Sequence, residues 1–309
     1  MRQAASGVLM IEPVGFRFSA ETARTNRFMR APEAAQNVQP LALKEFRGLV
    51  ETLERASVEV LVRQDLPESE TPDSIFPNNW VSFHEDGRVV LYPMEPPTRR
   101  RERRHDILDW LRDEKGFDLV EVVDLTHHEQ VGRFLEGTGS MVLDRVNRIA
   151  YAGISARTTP ALLEAFASRF AFSVVSFRTS DAEGDPIYHT NVLLSVGTRI
   201  AIVCGAAIPD LGERRAVFSS LESTGLEILD ISMEQLHAFV GNTLELQDLE
   251  GEPLFALSDR ALAALRPSQK KALERYGRLV ASPIPVIEDS GGGSVRCMLA
   301  EVFLPRRAG

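Results

Sequence analysis

The chain is predicted to fold as one α/β domain in which five hairpin–helix–strand units surround an axis, with residues 1–309 forming a single catalytic-sized unit. Three observations predict this. The same order of elements recurs at a spacing of roughly 50–60 residues. The two chain ends each supply part of one further unit. No Pro/Gly/Ser-rich linker is long enough to divide the chain; the best candidate, residues 289–294, is short. Closing a ring removes open sheet edges, a physical reason to split one unit between the termini.

In chain order, GVLMIEP from Gly7 reads as a strand, followed by a helix over about 43–56 and the strand VEVLVRQ. Residues 80–93, WVSFHEDGRVVLYP, alternate apolar and polar around a Glu-Asp-Gly turn, which marks a hairpin. An amphipathic helix is expected over about 98–115, with Thr98 as N-cap and Ile107, Leu108, Trp110 and Leu111 on its apolar side; a strand over 117–123 follows. The order returns as GSMVLDRVNRIAYAGI, a helix over 160–170 and AFSVVSF. It returns again as NVLLSVGTRIAIVCG, a helix over about 210–223 and LEILDI, and again as NTLELQDLEGEPLFAL, a helix over about 259–276 and RLVASPI. SVRCMLAEVFLP near the C-terminus reads as the strand that pairs with the first and closes the ring.

Composition narrows the function. With 44% hydrophobic residues the chain buries a large core without disulfides. A formal charge of -9 argues against a nucleic-acid partner. Two cysteines fit a reducing compartment, no apolar run approaches a membrane span, and the N-terminal apolar run is too short for a secretory signal, so a cytoplasmic protein is expected. The run Arg99–Arg104 reads most simply as the solvated start of a helix. No Cys/His spacing suits zinc and no Walker or dinucleotide glycine pattern occurs, the glycines near 137–139 opening a strand; neither metal nor cofactor is expected. The partner is a small molecule, with homo-oligomerisation left open.

The chemistry-bearing residues fall at equivalent places. Asn79, Glu136, His189 with Asn191, Asn242 and Cys297 each lie at or near the start of an inner strand. In a ring of repeats such positions converge on the axis. A thiolate at Cys297, after the glycines 291–293, needs a cation or a base, and His189 can supply either. Glu136 can orient the imidazole. Taken singly, Cys297 and His189 also allow buried structural roles. Cys204 ends an apolar run and reads as a small core residue; His127 and His128 read as loop residues.

The motifs Asp73-Ser74-Ile75-Phe76-Pro77-Asn78-Asn79-Trp80, Glu136-Gly137-Thr138-Gly139 and His189-Thr190-Asn191, with Cys297, resemble the arginine deiminase / dimethylarginine dimethylaminohydrolase / amidinotransferase superfamily. The resemblance covers nearly the whole chain and implies a five-bladed ββαβ propeller, the pentein fold. It also implies Cys297 as nucleophile, His189 as acid/base and Glu136 as its partner. Within the superfamily the chain looks most like the citrulline ureidases. Deiminases place two aspartates where this chain has Asn79 and Asn191. Paired buried carboxylates suit a cationic guanidinium, whereas an amide both donates and accepts and suits a neutral ureido group. The expectation is therefore hydrolysis of L-citrulline to ornithine, ammonia and CO2, the alternative being a guanidine hydrolase or amidinotransferase-like enzyme and, from another class, a non-catalytic amino-acid binder. Asp73 or Asp185 would supply the carboxylate if the substrate is cationic. The resemblance assigns Arg157, and one of Arg99 or Arg100, to the substrate carboxylate. His189 is expected as an imidazolium paired with the thiolate, and residues 17–23 and 233–241 as lids.

Overall fold

Each repeat folds into a three-stranded sheet whose antiparallel hairpin is followed, across a helix, by a parallel strand. The computed structural model describes residues 2–33 and 37–307. Strand β1 (Gly7–Glu12) runs parallel to β2 (Glu59–Gln64). The second sheet holds β3 (Val81–Phe83), β4 (Arg88–Leu91) and β5 (Glu121–Asp124); the third β6 (Val142–Asp144), β7 (Ile149–Ile154) and β8 (Ser173–Arg178). The fourth holds β9 (Leu194–Val196), β10 (Ile200–Val203) and β11 (Glu227–Asp230); the fifth β12 (Leu244–Gln247), β13 (Pro253–Ser258) and β14 (Arg278–Ser282). The last strand, β15 (Ala300–Glu301), returns to the first sheet antiparallel to β1, with Glu301 opposite Val8. The division of one unit between the chain ends is thus as expected from the repeat.

The central strand of each sheet is buried on both faces, as in β10, where Ile200, Ala201, Ile202 and Val203 are all core residues. This is the burial expected where a helix covers one face and the ring interior the other. The helix Gln39–Arg55 turns Ala42, Phe46, Leu49 and Leu53 inward, and Pro160–Phe170 turns Leu162, Leu163, Phe166 and Phe170. These recur at the helical period that makes one apolar stripe. No helix among the described residues is long and apolar enough to cross a membrane.

Five short helical turns precede the inner strands: Pro77–Asn79, Gly137–Ser140, Thr190–Val192, Val240–Asn242 and Val295–Met298. Each touches the next, and the last touches the first. Hydrogen bonds stitch neighbours together: Thr190 Oγ1 donates to the Ser140 carbonyl at 2.6 Å, and Asn242 Nδ2 to the Asn191 carbonyl at 2.8 Å. The turns approach so closely that a Cβ at Gly241 would lie 2.3 Å from the Val192 carbonyl oxygen. Glycine there is a packing requirement.

Several elements depart from the sequence reading. The helix expected over 98–115 is two pieces, the 3-10 segment Pro97–Glu102 and the helix His105–Asp113, separated by extended Arg103 and Arg104. Thr98 does not cap; it hydrogen-bonds Glu21. The arginine run is not a solvated face: Arg99 and Arg104 are buried, and Arg99 pairs through two nitrogens with Glu102 at 2.8 and 2.9 Å. The helix expected over 259–276 divides into Asp259–Ala264 and Pro267–Glu274, since Pro267 cannot continue the first piece. Residues 289–291 end a helix, Pro285–Gly291, rather than forming a linker. The glycines 137–139 form a helical turn, and Cys297 lies on the turn before β15, not within a strand.

Candidate active site

The ring of turns delivers the expected residues to one place. Cys297, His189, Asp73, Asn79, Arg99 and Arg157 line a single narrow cavity of about 10 Å³. Glu136 lies directly behind His189, its Oε2 2.8 Å from Nε2 of the ring. Asn191 faces the sulfur, with Nδ2 at 3.5 Å and Oδ1 at 3.8 Å. These eight residues are therefore gathered, though they come from segments far apart in the chain.

Cys297 is 3% exposed. Its sulfur accepts from two amides, Asn242 Nδ2 at 3.2 Å and Asn191 Nδ2 at 3.5 Å. The imidazole of His189 is not among its hydrogen-bond partners. Burial pushes His189 down from its ordinary 6.5 to about 4, against the pull of Glu136, so the ring is neutral at pH 7. Where the sequence led to an imidazolium beside the sulfur, the structure has two amides on the sulfur and a ring that burial holds neutral. Burial would raise the Glu136 carboxyl, but Arg157, the His189 hydrogen bond and Arg99 hold it well below the usual carboxylate range. An ionised Glu136 accepts, so Nε2 of His189 carries the proton and Nδ1 keeps its lone pair.

Arg157 is anchored on every side: Nη1 lies 3.3 Å from Glu136 Oε2, Nη2 donates to the Thr22 carbonyl at 3.0 Å, and Nε and Nη2 reach Thr25 Oγ1 at 3.0 and 2.8 Å. Arg99 donates through Nη1 to Asn79 Oδ1 at 2.9 Å. Arg100 instead reaches the carbonyls of Met94 and Glu95, which settles which arginine of the run faces the cavity. Asp73 accepts from Thr22 Oγ1 at 2.6 Å through one oxygen, while its Oδ1 is buried without a partner; burial raises its pKa against the pull of Arg99. Asp185 is outside this cavity, in an outer pocket with Arg24, Arg27 and Tyr188, paired with Arg27 at 2.8 Å.

The N-terminal segment covers the site. Thr22 and Asn26 line the cavity, Asn26 Nδ2 donates to the Gly292 carbonyl at 3.2 Å, and Tyr188 OH donates to the same carbonyl at 2.6 Å. Of the two lid candidates, 17–23 thus contributes directly through Thr22. Residues 233–241 do not line this cavity; they meet the N-terminal segment through Phe28, which packs against His237 and Phe239. Sequence reasoning missed Thr25, Asn26, Tyr188 and the contact of Asn242 with sulfur. Only Asn242 carried a signal, its place at the fourth equivalent turn. No group of three or more His, Cys, Asp or Glu side chains among the described residues is gathered for a metal.

The profile of the N,N dimethylarginine dimethylhydrolase family (eukaryotic) matches residues 12–304. The chain belongs to this family. As a family member it shares its fold with solved structures at low identity. One is ArgZ, an arginine dihydrolase from the ornithine-ammonia cycle in cyanobacteria, at TM-score 0.74 and 18% identity, covering 97% of this chain. The chain spans 41% of that protein's length, and 97% of the separate N-terminal domain of ArgZ bound to substrate, at TM-score 0.73 and 19% identity. A third is a dimethylarginine dimethylaminohydrolase variant as an adduct with S-methyl-L-thiocitrulline, at TM-score 0.63 and 14% identity, covering 96% of this chain and 98% of that one. No curated protein matches the chain significantly.

Proposed function

We propose that this family member is a cysteine hydrolase that cleaves a C–N bond at the guanidino carbon of an arginine-type amino acid. We further propose that residues 1–309 form one catalytic domain, a five-bladed propeller closed by the first and last strands. The observation that carries the activity is the shared cavity: a buried thiol, a neutral imidazole with one free nitrogen, and the unpartnered Oδ1 of Asp73 line one space. A buried carboxylate oxygen without a partner costs stability unless a cation meets it. Asp73 meets a cationic nitrogen of the substrate, and Arg157 and Arg99 provide positive charge for its carboxylate.

In the first half-reaction His189 takes the Cys297 thiol proton on Nδ1, and the sulfur bonds to the guanidino carbon. The proton passes to one nitrogen, its C–N bond breaks, and an amine leaves an amidino group on sulfur. In the second half His189 removes a proton from water, the oxygen bonds to the same carbon, and the C–S bond breaks to release a ureido product. The amides of Asn191 and Asn242 steady the sulfur as negative charge develops on it.

The second reading is the citrulline ureidase expected from the sequence. It is favoured by the two neutral amides on the sulfur, where a carboxylate would suit a guanidinium better. Family membership favours the guanidino reading. The test offers arginine, Nω-methylated arginines and citrulline separately and measures ammonia, methylamines, citrulline and ornithine. The guanidino reading predicts kcat/KM at least about tenfold higher for one guanidino substrate than for citrulline. The reverse preference replaces it with the ureido reading, and turnover of none of them removes both.

A further inference from the structure

The inner strands run away from the catalytic turns into a second, small cavity of about 20 Å³, walled by Thr138, Ser195, Thr243, Arg145, Arg296 and Glu301 and with room for a group the size of a single water or monatomic ion. Each of these lies on a catalytic turn, on the inner strand that follows it, between the two for Thr243 or, for Arg145, just past β6, so this cavity backs the ring that carries the thiol; Arg296 is the residue before Cys297. Gln3 closes its end, donating to the carbonyls of Leu143 and Val196 at 2.9 Å and accepting the Arg145 backbone N–H at 2.8 Å. We propose that this cavity binds a small inorganic anion between the guanidinium groups of Arg145 and Arg296.

Charge carries the argument. Two buried arginines share one buried carboxylate, leaving one positive charge in excess. Arg296 takes the better position, with Nη2 3.2 Å from Glu301 Oε2 and Nη1 3.5 Å from the Leu299 carbonyl. Arg145, with a side chain 4% exposed, reaches Glu301 only at 4.0 Å and otherwise stacks on Phe303 at 4.0 Å. Its guanidinium makes no hydrogen bond among the described residues. Arginine does not neutralise itself by losing a proton, so its five donors and its charge remain to be met. An uncompensated buried cation is strongly destabilising, and an anion from solution removes that cost. The other titratable groups whose charge is coupled to Arg145 include Tyr92, Glu85 and His84, and the adjoining Asp144 is already engaged by Asn147. Tyr92 bonds Ser82 as a neutral phenol, Glu85 already pairs with Arg2 at the surface, and His84 is buried as a neutral ring, so none supplies the missing charge in the cavity. The Ser195 hydroxyl makes no hydrogen bond among the described residues and is available as a further donor.

The test replaces sodium gluconate with sodium chloride or bromide at constant ionic strength and follows thermal unfolding of the full chain. The proposal expects a saturable rise in Tm on the order of 2–4 °C, absent from Arg145→Gln. Because Arg145→Gln can fail to fold, crystals of the unaltered protein grown in bromide provide an independent readout, with anomalous density expected between Arg145 and Arg296. A Tm that does not respond to the exchange, or bromide crystals with no density there, overturns the proposal.

Discussion

The side-chain amide of Asn242 grips Cys297 twice: Nδ2 lies 3.2 Å from the sulfur, and Oδ1 accepts the Cys297 backbone N–H at 3.4 Å. With the His189 ring turned to Glu136, this amide is the nearest hydrogen-bond donor to the nucleophile. Asn242→Asp places a carboxylate against the sulfur. Iodoacetamide alkylation of Cys297 at a fixed, near-neutral pH is expected to slow by about tenfold or more, and Asn242→Ala is expected to slow turnover by about tenfold or more. An unchanged alkylation rate in Asn242→Asp contradicts this role.

His189 is expected to stay neutral well into acid. Its folded value of about 4 lies below the ordinary 6.5, so burial of the neutral ring contributes stability that is fully present above pH 6.5 and is lost as pH falls through about 4. The depressed Glu136 carboxyl acts in the same sense, contributing stability above its ordinary 4.5 that is lost at lower pH. Nitrogen NMR of histidine-labelled protein should show a neutral His189 ring at pH 6, and a charged ring at that pH would contradict the assignment.

Gly139 fits the imidazole as no larger residue can. A Cβ there would lie 2.4 Å from Asn79 Nδ2 and 2.7 Å from Cε1 and Nδ1 of His189. Gly139→Ala should displace the ring and cut kcat by roughly a hundredfold, while overpacking costs about 1–3 kcal/mol of stability. Retained kcat would show that the ring's seat against this turn is unimportant.

Asp73 exchanges stability for binding. Replacing the carboxylate, whose Oδ1 has no partner, by the isosteric amide in Asp73→Asn should leave Tm unchanged or raised, yet raise KM for the amino-acid substrate by about tenfold or more. A KM equal to that of the unaltered protein would remove Asp73 from substrate recognition.

The repeat was legible because hairpin periodicity and turn residues are local signals, and because Asn79, His189 and Asn242 recur at matching places. Helix interruptions were partly legible: Pro267 stands in the sequence, but the break at Arg103 and Arg104 follows from the burial of Arg99 with Glu102, a tertiary event. The spacing of those two, three residues apart, was the signal available for an internal ion pair. Of the cover, Thr22 fell within the lid expected over 17–23, but Thr25 and Asn26 left no signal, since short polar residues in an irregular segment look like any loop until Arg157 and the Gly292 carbonyl are seen to hold them.

The most direct measurement is the mass of the intact protein after acid quench during turnover of whichever amino acid it consumes. A fraction of the chain should be heavier by the substrate's amidino-linked portion, with the added mass mapping to Cys297, and Cys297→Ser should show neither adduct nor turnover. Turnover that survives in Cys297→Ser would contradict the thiol mechanism.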